Sequence, residues 1–245
     1  MTRRGALLWG LLLPLAACAP AREPVGRPEV IRRILPCTIQ LRAERESGVR
    51  RAASGVVVAS TTEPARVWIL TTRHFVDPPA TQQILARRPG RHESLPVRIA
   101  ARSPVFDLAL LVADGVAIEP TLLKDTSALG DDVLVVGFPW GGRLTVVSGI
   151  VSQLAAPSDG GLLVAGPARL IDASVSYGSS GGGVFDRATG ALIGVVESYR
   201  TAKLVASDGT SRPLEVPVAG ETTIIAAADI ARFLLTAGVE SQRSP

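Results

Sequence analysis

Cysteine and histidine are both scarce in this 245-residue sequence, which contains two of each. A structural zinc module needs about four such ligands at short spacings, and Cys18 and Cys37 are too few for a disulfide framework. Lysine is confined to Lys124 and Lys203, and the arginines are scattered, so the net charge of +4 forms no basic stripe of the kind that binds nucleic acid. The sequence therefore predicts no metal, no organic cofactor and no nucleic-acid partner.

The rest of the composition is that of a folded globular protein. Hydrophobic residues make up 47% of the chain and charged residues 20%, which argues against disorder over its whole length. Short β-branched runs separated by glycine, proline, aspartate and serine recur at the spacing of an all-β sandwich or barrel. Two groups of runs flank the polar stretch 114–131. The predicted strands are 38–43, 53–59, 67–71, 82–87, 96–101 and 108–112, then 132–137, 145–154, 162–165, 169–172, 184–185, 192–197, 203–206 and 214–218.

Residues 1–17 predict an export signal. Two arginines precede a thirteen-residue apolar run, which is shorter than the roughly 20 residues of a membrane-spanning helix. The run ends in Leu15-Ala16-Ala17-Cys18, which resembles the lipobox of bacterial lipoproteins. That resemblance implies acylation of Cys18 and a lipid-anchored protein of the cell envelope that faces the periplasm or the cell exterior. The alternative is an ordinary signal peptide that is cleaved near Ala17 or Ala19.

Two further segments flank the predicted strands. Residues 18–36 contain four prolines, which favour an extended, proline-rich tether over 19 to about 34. At the other end, apolar side chains at i, i+3 and i+4 from Ile230 share one face, and Gly238 is a plausible stop. This pattern predicts a C-terminal helix at about 227–237.

A segment rich in glycine and serine, Gly178–Gly183, lies between predicted strands of the second group. On its own, such a segment is most often a flexible loop. A serine hydroxyl becomes a nucleophile only when a base accepts its proton, an acid orients that base and backbone N–H groups stabilise the oxyanion. Glycines around Ser180 would let the backbone turn sharply enough to present such groups. Ser180 is therefore a candidate nucleophile, provided that the chain also supplies a base and an acid.

The candidate base has to be one of two histidines. His92 lies in a charged turn, which is typical of a solvated loop, whereas His74 directly follows an apolar strand and could face a cleft or simply cap the strand. The candidate acid is Asp107, which opens an apolar run and would need a partner such as an imidazole if it were desolvated. Asp77 precedes two prolines and is better explained as a turn former.

The order and spacing of six sequence blocks resemble those of the trypsin-like serine proteases, and most closely the bacterial HtrA type. The order His74, Asp107, Ser180 is that of the chymotrypsin fold and differs from the subtilisin and α/β-hydrolase orders. The resemblance covers roughly residues 37–238. The blocks that carry it are Ser54–Ala59, Ile69–Val76, Asp107–Leu111, Gly130–Pro139, Val147–Ser152 and Gly178–Gly182.

This resemblance implies two six-stranded antiparallel β-barrels with the site between them and a closing helix. A protease domain would then span 37–240, with barrels at about 37–113 and 130–226. By the same resemblance, Ser180 would be the nucleophile of a serine endopeptidase, His74 its general base and Asp107 the group that orients His74. The N–H groups of Gly178 and Ser180 would form the oxyanion hole.

The resemblance also implies a substrate pocket with Ser174 at its base and a wall that includes Glu197 and Tyr199. An uncharged base predicts small or medium apolar residues at the cleavage site. The chain departs from the family pattern at Gly183, where proline is usual, and at Thr72-Arg73, where the HtrA type often has two asparagines. The segment after the predicted helix is too short for the PDZ domain that many HtrA proteins carry.

Three functions remain open at this point. The first is an active endopeptidase that cleaves proteins or peptides of the envelope through an acyl-enzyme. The second is a catalytically silent scaffold of the same fold that binds peptides or envelope partners, because an inactive loop conformation is compatible with intact triad residues. The third is an esterase or another acyl hydrolase. Cys37 heads an apolar strand and is interpreted as a buried structural thiol.

Overall fold

The first group of strands closes into a six-stranded antiparallel barrel in the computed structural model, which describes residues 26–45, 48, 50–77, 82–155, 163–204 and 214–244. Its strands are β1 (Thr38–Arg45), β2 (Arg50–Thr62), β3 (Ala65–Thr71), β4 (Gln82–Arg87), β5 (Leu95–Arg102) and β6 (Ala109–Asp114). Neighbours follow the order β1, β2, β3, β6, β5, β4, and β4 pairs back to β1. Each of the six predicted runs overlaps one of these strands, because β-branched and aliphatic residues alternate or run continuously through all of them.

The second group of strands closes into another six-stranded antiparallel barrel. In chain order this half contains β7 (Ser127–Ala128), β8 (Asp132–Gly137), β9 (Thr145–Leu154), β10 (Ala165–Gly166), β11 (Ala168–Ile171), β12 (Gly183–Asp186), β13 (Leu192–Leu204) and β14 (Leu214–Ala226). The barrel order is β11, β14, β13, β12, β8, β9, while β7 and β10 pair with each other as a separate two-stranded sheet. The expected fold class, two six-stranded antiparallel barrels of chymotrypsin type, is confirmed.

The predicted strands of the second group differ from the structure at two places. The run 162–165 supplies no barrel strand: Ala165 belongs to β10, and residue 162 lies outside the described residues. The runs 192–197 and 203–206 belong to one long strand as far as Leu204, beyond which the structure describes nothing until residue 214. The polar residues between the runs suggested a break, but β13 continues there as a ribbon paired with β14, and a ribbon exposed to water does not need apolar residues on both faces.

The prediction of an extended tether over 18–36 is wrong for its second half. Residues Arg27–Ile34 form helix α1, with Pro28 in the first turn. Proline is well tolerated there because the first N–H groups of a helix have no partner within the helix. Val30 and Ile34, four residues apart, face inward and are buried, so α1 packs against the core. Residues 18–25 lie outside the described part of the chain.

A helix closes the described chain, as expected. Helix α3 (Ala227–Thr236) buries one face that includes Ile230, Phe233 and Leu234, and Gly238 follows it with a left-handed φ of +69°. One continuous cluster of buried apolar side chains joins the interior of the first barrel to α1, α3 and part of the second barrel. The two barrels therefore pack on each other through apolar surface, and the edge of this contact carries the candidate site.

Candidate active site

His74 lies just after the end of β3 in the first barrel. Helix α2 (Arg73–Val76) is a single turn that begins two residues after β3. Phe75 and Val76 are buried and anchor this turn, whereas the His74 side chain is about half exposed. His74 therefore follows the end of an apolar strand, as the sequence predicts, and it lies on a helical turn.

Asp107 bonds His74 twice. One carboxylate oxygen accepts the backbone N–H of His74 at 2.8 Å, and the other lies 2.5 Å from the imidazole Nδ1. The loop before Asp107 is fixed by the Ser103 hydroxyl, which accepts N–H groups from Val105 and Phe106 at 3.3 and 3.0 Å. The backbone carbonyl of Asp107 in turn accepts the N–H of Arg73 at 3.1 Å. Both the carboxylate and the imidazole are therefore held in one orientation.

The charge state of Asp107 favours its role as a partner of the imidazole. Burial by itself raises the pKa of this carboxyl, but the hydrogen bonds from the His74 side chain and backbone, together with the charge of Arg73, outweigh burial, so the pKa lies below its ordinary value. An ionised carboxylate can only accept, so Nδ1 must carry a proton. The other ring nitrogen, Nε2, is then free to accept one. The Thr72 hydroxyl lies 3.4 Å from Nε2.

Asp77 and His92, the alternative candidates for the acid and the base, lie where the sequence analysis placed them. Asp77 follows α2, its backbone N–H donates to the Arg73 carbonyl, and its carboxylate pairs with the guanidinium groups of Arg73 and Arg102 at 3.6 and 3.3 Å. His92 is exposed in the turn between β4 and β5. Asp77 thus ends the helical turn and does not contact the imidazole in any bond that the structure records.

The Ser180 loop depends on glycines at two crowded positions. Gly178 has a φ of +88°, and a Cβ on it would lie 2.8 Å from the Trp140 nitrogen. Gly181 has a φ of +79°, and a Cβ on it would lie 2.3 Å from the carbonyl oxygen of Ser54. A side chain at either position would face both backbone strain and a steric clash. The glycines that marked this segment in the sequence are therefore required by its shape.

The packing of this loop brings the second barrel against the base of the His74 turn. A Cβ on Gly181 would lie 2.5 Å from the Thr71 hydroxyl, and Thr71 is the last residue of β3, three positions before His74. The carbonyl of Ser180 accepts the backbone N–H of Ser54 in β2 at 2.9 Å. The loop that carries the candidate nucleophile thus packs against the first barrel beside the His74 turn, although no hydrogen bond joins Ser180 to His74 among the described residues.

Two backbone donors in the loop are left without partners. The Tyr177 carbonyl accepts the Trp140 N–H at 2.7 Å. Because C=O and N–H of a trans peptide point in opposite directions, the N–H of Gly178 points away from Trp140. Within the described parts of the chain, neither this N–H nor that of Ser180 donates a hydrogen bond. Gly178 is buried and Ser180 is partly buried, and their two N–H groups are left available to an acceptor other than the described residues.

A cavity of about 280 Å³ adjoins the loop. Its lining contains Ser174, the residue predicted for the base of the substrate pocket, and it includes no charged side chain. Glu197 and Tyr199, which were predicted in the pocket wall, are not among the residues that line this cavity. The register of β13 against β14 shifts between Val196 and Ser198, and the Glu197 carboxylate pairs with Arg169 at 3.6 Å. The cavity is lined by Val135, Gly137, Pro139, Thr145, Val147, Ser174, Val175, Ser176 and Ser179.

Sequence reasoning missed two residues that shape the loop. Trp140, at a φ of +57°, packs its ring against that of Tyr177 at a centroid distance of 5.4 Å. Ser54 is fully buried in β2 and bonds the loop through both its backbone and its hydroxyl. A polar residue at the start of an otherwise apolar run was the signal for Ser54, but the sequence alone does not show which distant group it meets.

Cys37 is a free, buried thiol, as the sequence suggested. Burial raises its pKa to about 12, so the reactive thiolate is disfavoured. Among the described residues, no cluster of three or more histidine, cysteine, aspartate or glutamate side chains is placed to hold a metal ion. No helix in the same ranges is long and apolar enough to cross a membrane. Cys18 and the export-signal residues 1–17 lie outside the described part.

The fold and this site define the class of protein, and comparison with known families agrees. The model of the trypsin-like peptidase domain family matches residues 53–195, more than half of the chain, and the chain belongs to that family. Within the family it is of the HtrA type. It is 29% identical over 185 residues to the serine endoprotease DegS of Salmonella typhimurium, covering 70% of this chain and 48% of the relative.

Two further comparisons cover similar parts of the chain. A probable periplasmic serine endoprotease, DegP-like, of Pseudomonas putida is 29% identical over 156 residues, covering 63% of this chain and 30% of the relative. The crystal structure of the serine endoprotease from Yersinia pestis has the same fold, with a TM-score of 0.62, 21% identity and coverage of 88% of this chain and 68% of that chain. The chain spans less than half the length of either curated relative.

Proposed function

We propose that this protein is a serine endopeptidase that cleaves peptide bonds of envelope proteins through an acyl-enzyme. Its catalytic residues are Ser180, His74 and Asp107, and its oxyanion hole consists of the N–H groups of Gly178 and Ser180. Membership of the trypsin-like peptidase family supports the reaction class. The relatives named serine endoprotease support peptide or protein substrates.

The observation that carries the proposal is the pair of unpaired N–H groups in the Ser180 loop. An inactive loop of a silent scaffold would be expected to satisfy these donors internally or to turn them away from each other. In this chain, hydrogen bonds hold the carbonyls of Tyr177, Gly178 and Ser180, whereas the N–H groups of Gly178 and Ser180 stay open to a ligand. Such donors stabilise the charge that develops on a carbonyl oxygen during acyl transfer.

The proposed reaction follows from the orientation of the imidazole. Ser180 Oγ attacks the carbonyl carbon of the scissile bond, and its proton passes to Nε2 of His74. The negative oxygen of the tetrahedral intermediate is held by the N–H groups of Gly178 and Ser180. When the C–N bond breaks, His74 returns the proton to the leaving amine, and water then repeats the sequence on the acyl-enzyme. Asp107 stays ionised and stabilises the imidazolium at both stages.

The cavity beside the loop supports a preference for uncharged side chains at the cleavage site. Its lining is formed by valine, glycine, proline, threonine and serine residues, and it includes Ser174. A lysine or arginine in this cavity would lose its hydration without meeting a carboxylate, which is unfavourable. We therefore expect small or medium apolar residues to precede the scissile bond.

The proposed location is the bacterial cell envelope, with a lipid anchor at Cys18. The DegP-like relative is named as periplasmic, which fits export of this chain. The lipobox-like sequence before Cys18 supports the anchor. Cys18→Ser should release the protein from the membrane fraction of cells that express the full chain, and unchanged membrane retention would contradict acylation at this residue.

Labelling of the full chain with a fluorophosphonate probe tests the catalytic proposal. The probe is attacked by an activated serine and its phosphonyl oxygen needs the oxyanion hole, so the wild type should be labelled and should digest fluorescein-labelled casein. Ser180→Ala should abolish labelling and lower kcat by about 10⁴- to 10⁶-fold, because the triad residues act as a unit. Ser148→Ala, which removes an exposed serine hydroxyl in β9, is the matched control and should still be labelled.

The outcomes separate the three functions. A folded wild type that is neither labelled nor active would favour the silent scaffold. Rapid turnover of simple esters without cleavage of casein would favour an esterase. Casein cleavage that survives in Ser180→Ala, after contaminating proteases have been removed, would contradict the assignment of the nucleophile.

A further inference from the structure

The side chain of Ser54 connects the first barrel to the Ser180 loop of the second. Ser54 lies in β2 and is fully buried. Its hydroxyl lies 2.8 Å from the carbonyl oxygen of Gly178 and 2.8 Å from the backbone nitrogen of Phe138, at the end of β8. Ser54 and Gly178 are 124 positions apart in the chain. Nothing in the catalytic scheme above uses this hydroxyl.

The chemistry of the two backbone partners fixes the direction of each hydrogen bond that the Ser54 hydroxyl makes. The Phe138 N–H can only donate and the Gly178 carbonyl can only accept. The hydroxyl of Ser54 therefore accepts from Phe138 and directs its single proton at Gly178. Because both partners are backbone groups of the second barrel, the Ser54 side chain holds the loop against the end of β8.

The bond to Gly178 acts on the peptide between the two oxyanion donors. The Gly178 carbonyl belongs to the Gly178–Ser179 peptide, whose N–H donates to the Ser176 carbonyl at 3.0 Å. That peptide is thus fixed at both ends. The N–H of Gly178 lies on the preceding peptide and the N–H of Ser180 on the following one, so the orientation of the central peptide determines whether the two donors converge.

The neighbouring peptides are held by backbone groups alone. The Tyr177 carbonyl, on the preceding peptide, accepts from Trp140, and the Ser179 carbonyl, on the following peptide, accepts from the N–H of Gly182 at 2.8 Å. A substitution of Ser54 can therefore remove the hydrogen bond to the Gly178 carbonyl and leave the backbone hydrogen bonds of the loop in place. The Thr71 hydroxyl donates to the Ser54 carbonyl at 2.8 Å and fixes the position of Ser54 itself.

We propose that Ser54 is a positioning residue whose hydroxyl orients the Gly178–Ser179 peptide, and through it the N–H groups of Gly178 and Ser180 that bind the oxyanion. This inference rests on the proposed function. Ser54 does not touch the substrate in the proposed mechanism, so loss of its hydroxyl should reduce stabilisation of the transition state and leave substrate binding almost unchanged. Removing a direct oxyanion donor costs about 10²- to 10³-fold in kcat. Loss of a group that only orients two such donors should cost less, on the order of 10- to 100-fold.

The test compares Ser54→Ala with Thr38→Val in the full chain. Thr38 is also fully buried in the first barrel, and its hydroxyl donates to a single carbonyl, that of Ile34, at 3.0 Å, away from the loop. Both variants lose one buried hydroxyl and both should unfold at a lower temperature than the wild type. At a temperature well below both transitions, Ser54→Ala should show a fluorophosphonate labelling rate and a kcat on casein about 10- to 100-fold lower, with KM within about twofold. Thr38→Val should keep the wild-type labelling rate.

Each result decides one question. Labelling of Ser54→Ala at the rate of Thr38→Val would overturn the role of Ser54 while leaving the proposed function intact. A wild type that is not labelled would contradict the proposed function itself. If Ser54→Ala does not fold, Ser54→Cys replaces it, since a thiol fills the space of the hydroxyl and is a poor donor. The same slow labelling is expected for that variant, and wild-type labelling would overturn the inference.

Discussion

In the first barrel, His74 and Asp107 are held by hydrogen bonds to each other's polar groups, whereas in the second barrel Ser180 lies in a loop held by backbone bonds and close packing. The first arrangement depends on charge: an ionised carboxylate faces an imidazole at 2.5 Å. The second depends on shape: Gly178 and Gly181 adopt positive φ values at places where a Cβ would not fit. Substitutions in the first half should therefore act through the loss of a charge, and substitutions in the second half through a change in backbone conformation.

This difference has a structural cause. His74 and Asp107 stand where β3 ends and β6 begins, neighbouring strands whose interior residues are buried. Side chains at such strand ends are held in place by the buried strands, so the sequence only has to supply the right type of side chain. The Ser180 loop lies outside the strands, between β11 and β12, so glycines and individual hydrogen bonds, such as those of Gly181 and Gly182 to Val196 in β13, have to specify its backbone.

The largest effect is expected when the charge of the first half is removed. Asp107→Asn keeps the shape of the side chain, but its amide can donate to Nδ1 and favour the wrong tautomer of His74. We expect kcat on casein to fall by about 10⁴-fold with little change in the unfolding temperature. The matched control is Asp77→Asn, a carboxylate three residues after His74 that pairs with Arg73 and Arg102 instead. Asp77→Asn should retain activity within about threefold. An equal loss of kcat in the two variants would contradict a specific role for Asp107.

The shape of the second half is tested by two glycines with the same backbone conformation. Gly181 and Gly115 both have a φ of +79°, but a Cβ on Gly115 would meet nothing within 4 Å. Gly115→Ala should cost only the strain of a left-handed alanine, about 1 to 2 kcal/mol. Gly181→Ala adds the clash with Ser54 and Thr71, and overpacking costs about 1 to 3 kcal/mol more. Urea unfolding measures both, and equal losses of unfolding free energy would show that crowding does not fix the loop.

The same contrast explains what could be predicted from the sequence. The barrels and the positions of His74 and Asp107 follow from periodic patterns and from where apolar runs end, which are local signals. Helix α1 was missed because prolines were weighed as helix breakers, although Pro28 occupies the first turn, where it is tolerated. The contacts of Ser54 with Gly178 and Phe138 join residues far apart in the chain, and a single sequence contains no signal for such a pairing.

The smallest expected effect is the response of the two halves to acid. The pKa of Asp107 lies below its ordinary value because the hydrogen bonds from His74 and the charge of Arg73 outweigh the opposing effect of burial. A lowered pKa in the folded state means that ionised Asp107 stabilises the fold above its unfolded pKa of 3.8, and that this stabilisation is lost as the pH falls through the lower folded value.

The difference in unfolding free energy between the wild type and Asp107→Asn should therefore be constant above about pH 5 and shrink below pH 4, by at most about 1 kcal/mol. The Ser180 loop offers the comparison, because the hydroxyl of Ser54 does not titrate. The difference between the wild type and Ser54→Ala should stay the same across this range. Urea unfolding from pH 2.5 to 7 measures both. A pH-independent difference for Asp107→Asn would mean that ionisation of Asp107 adds nothing to folding, and that shape alone holds both halves of the site.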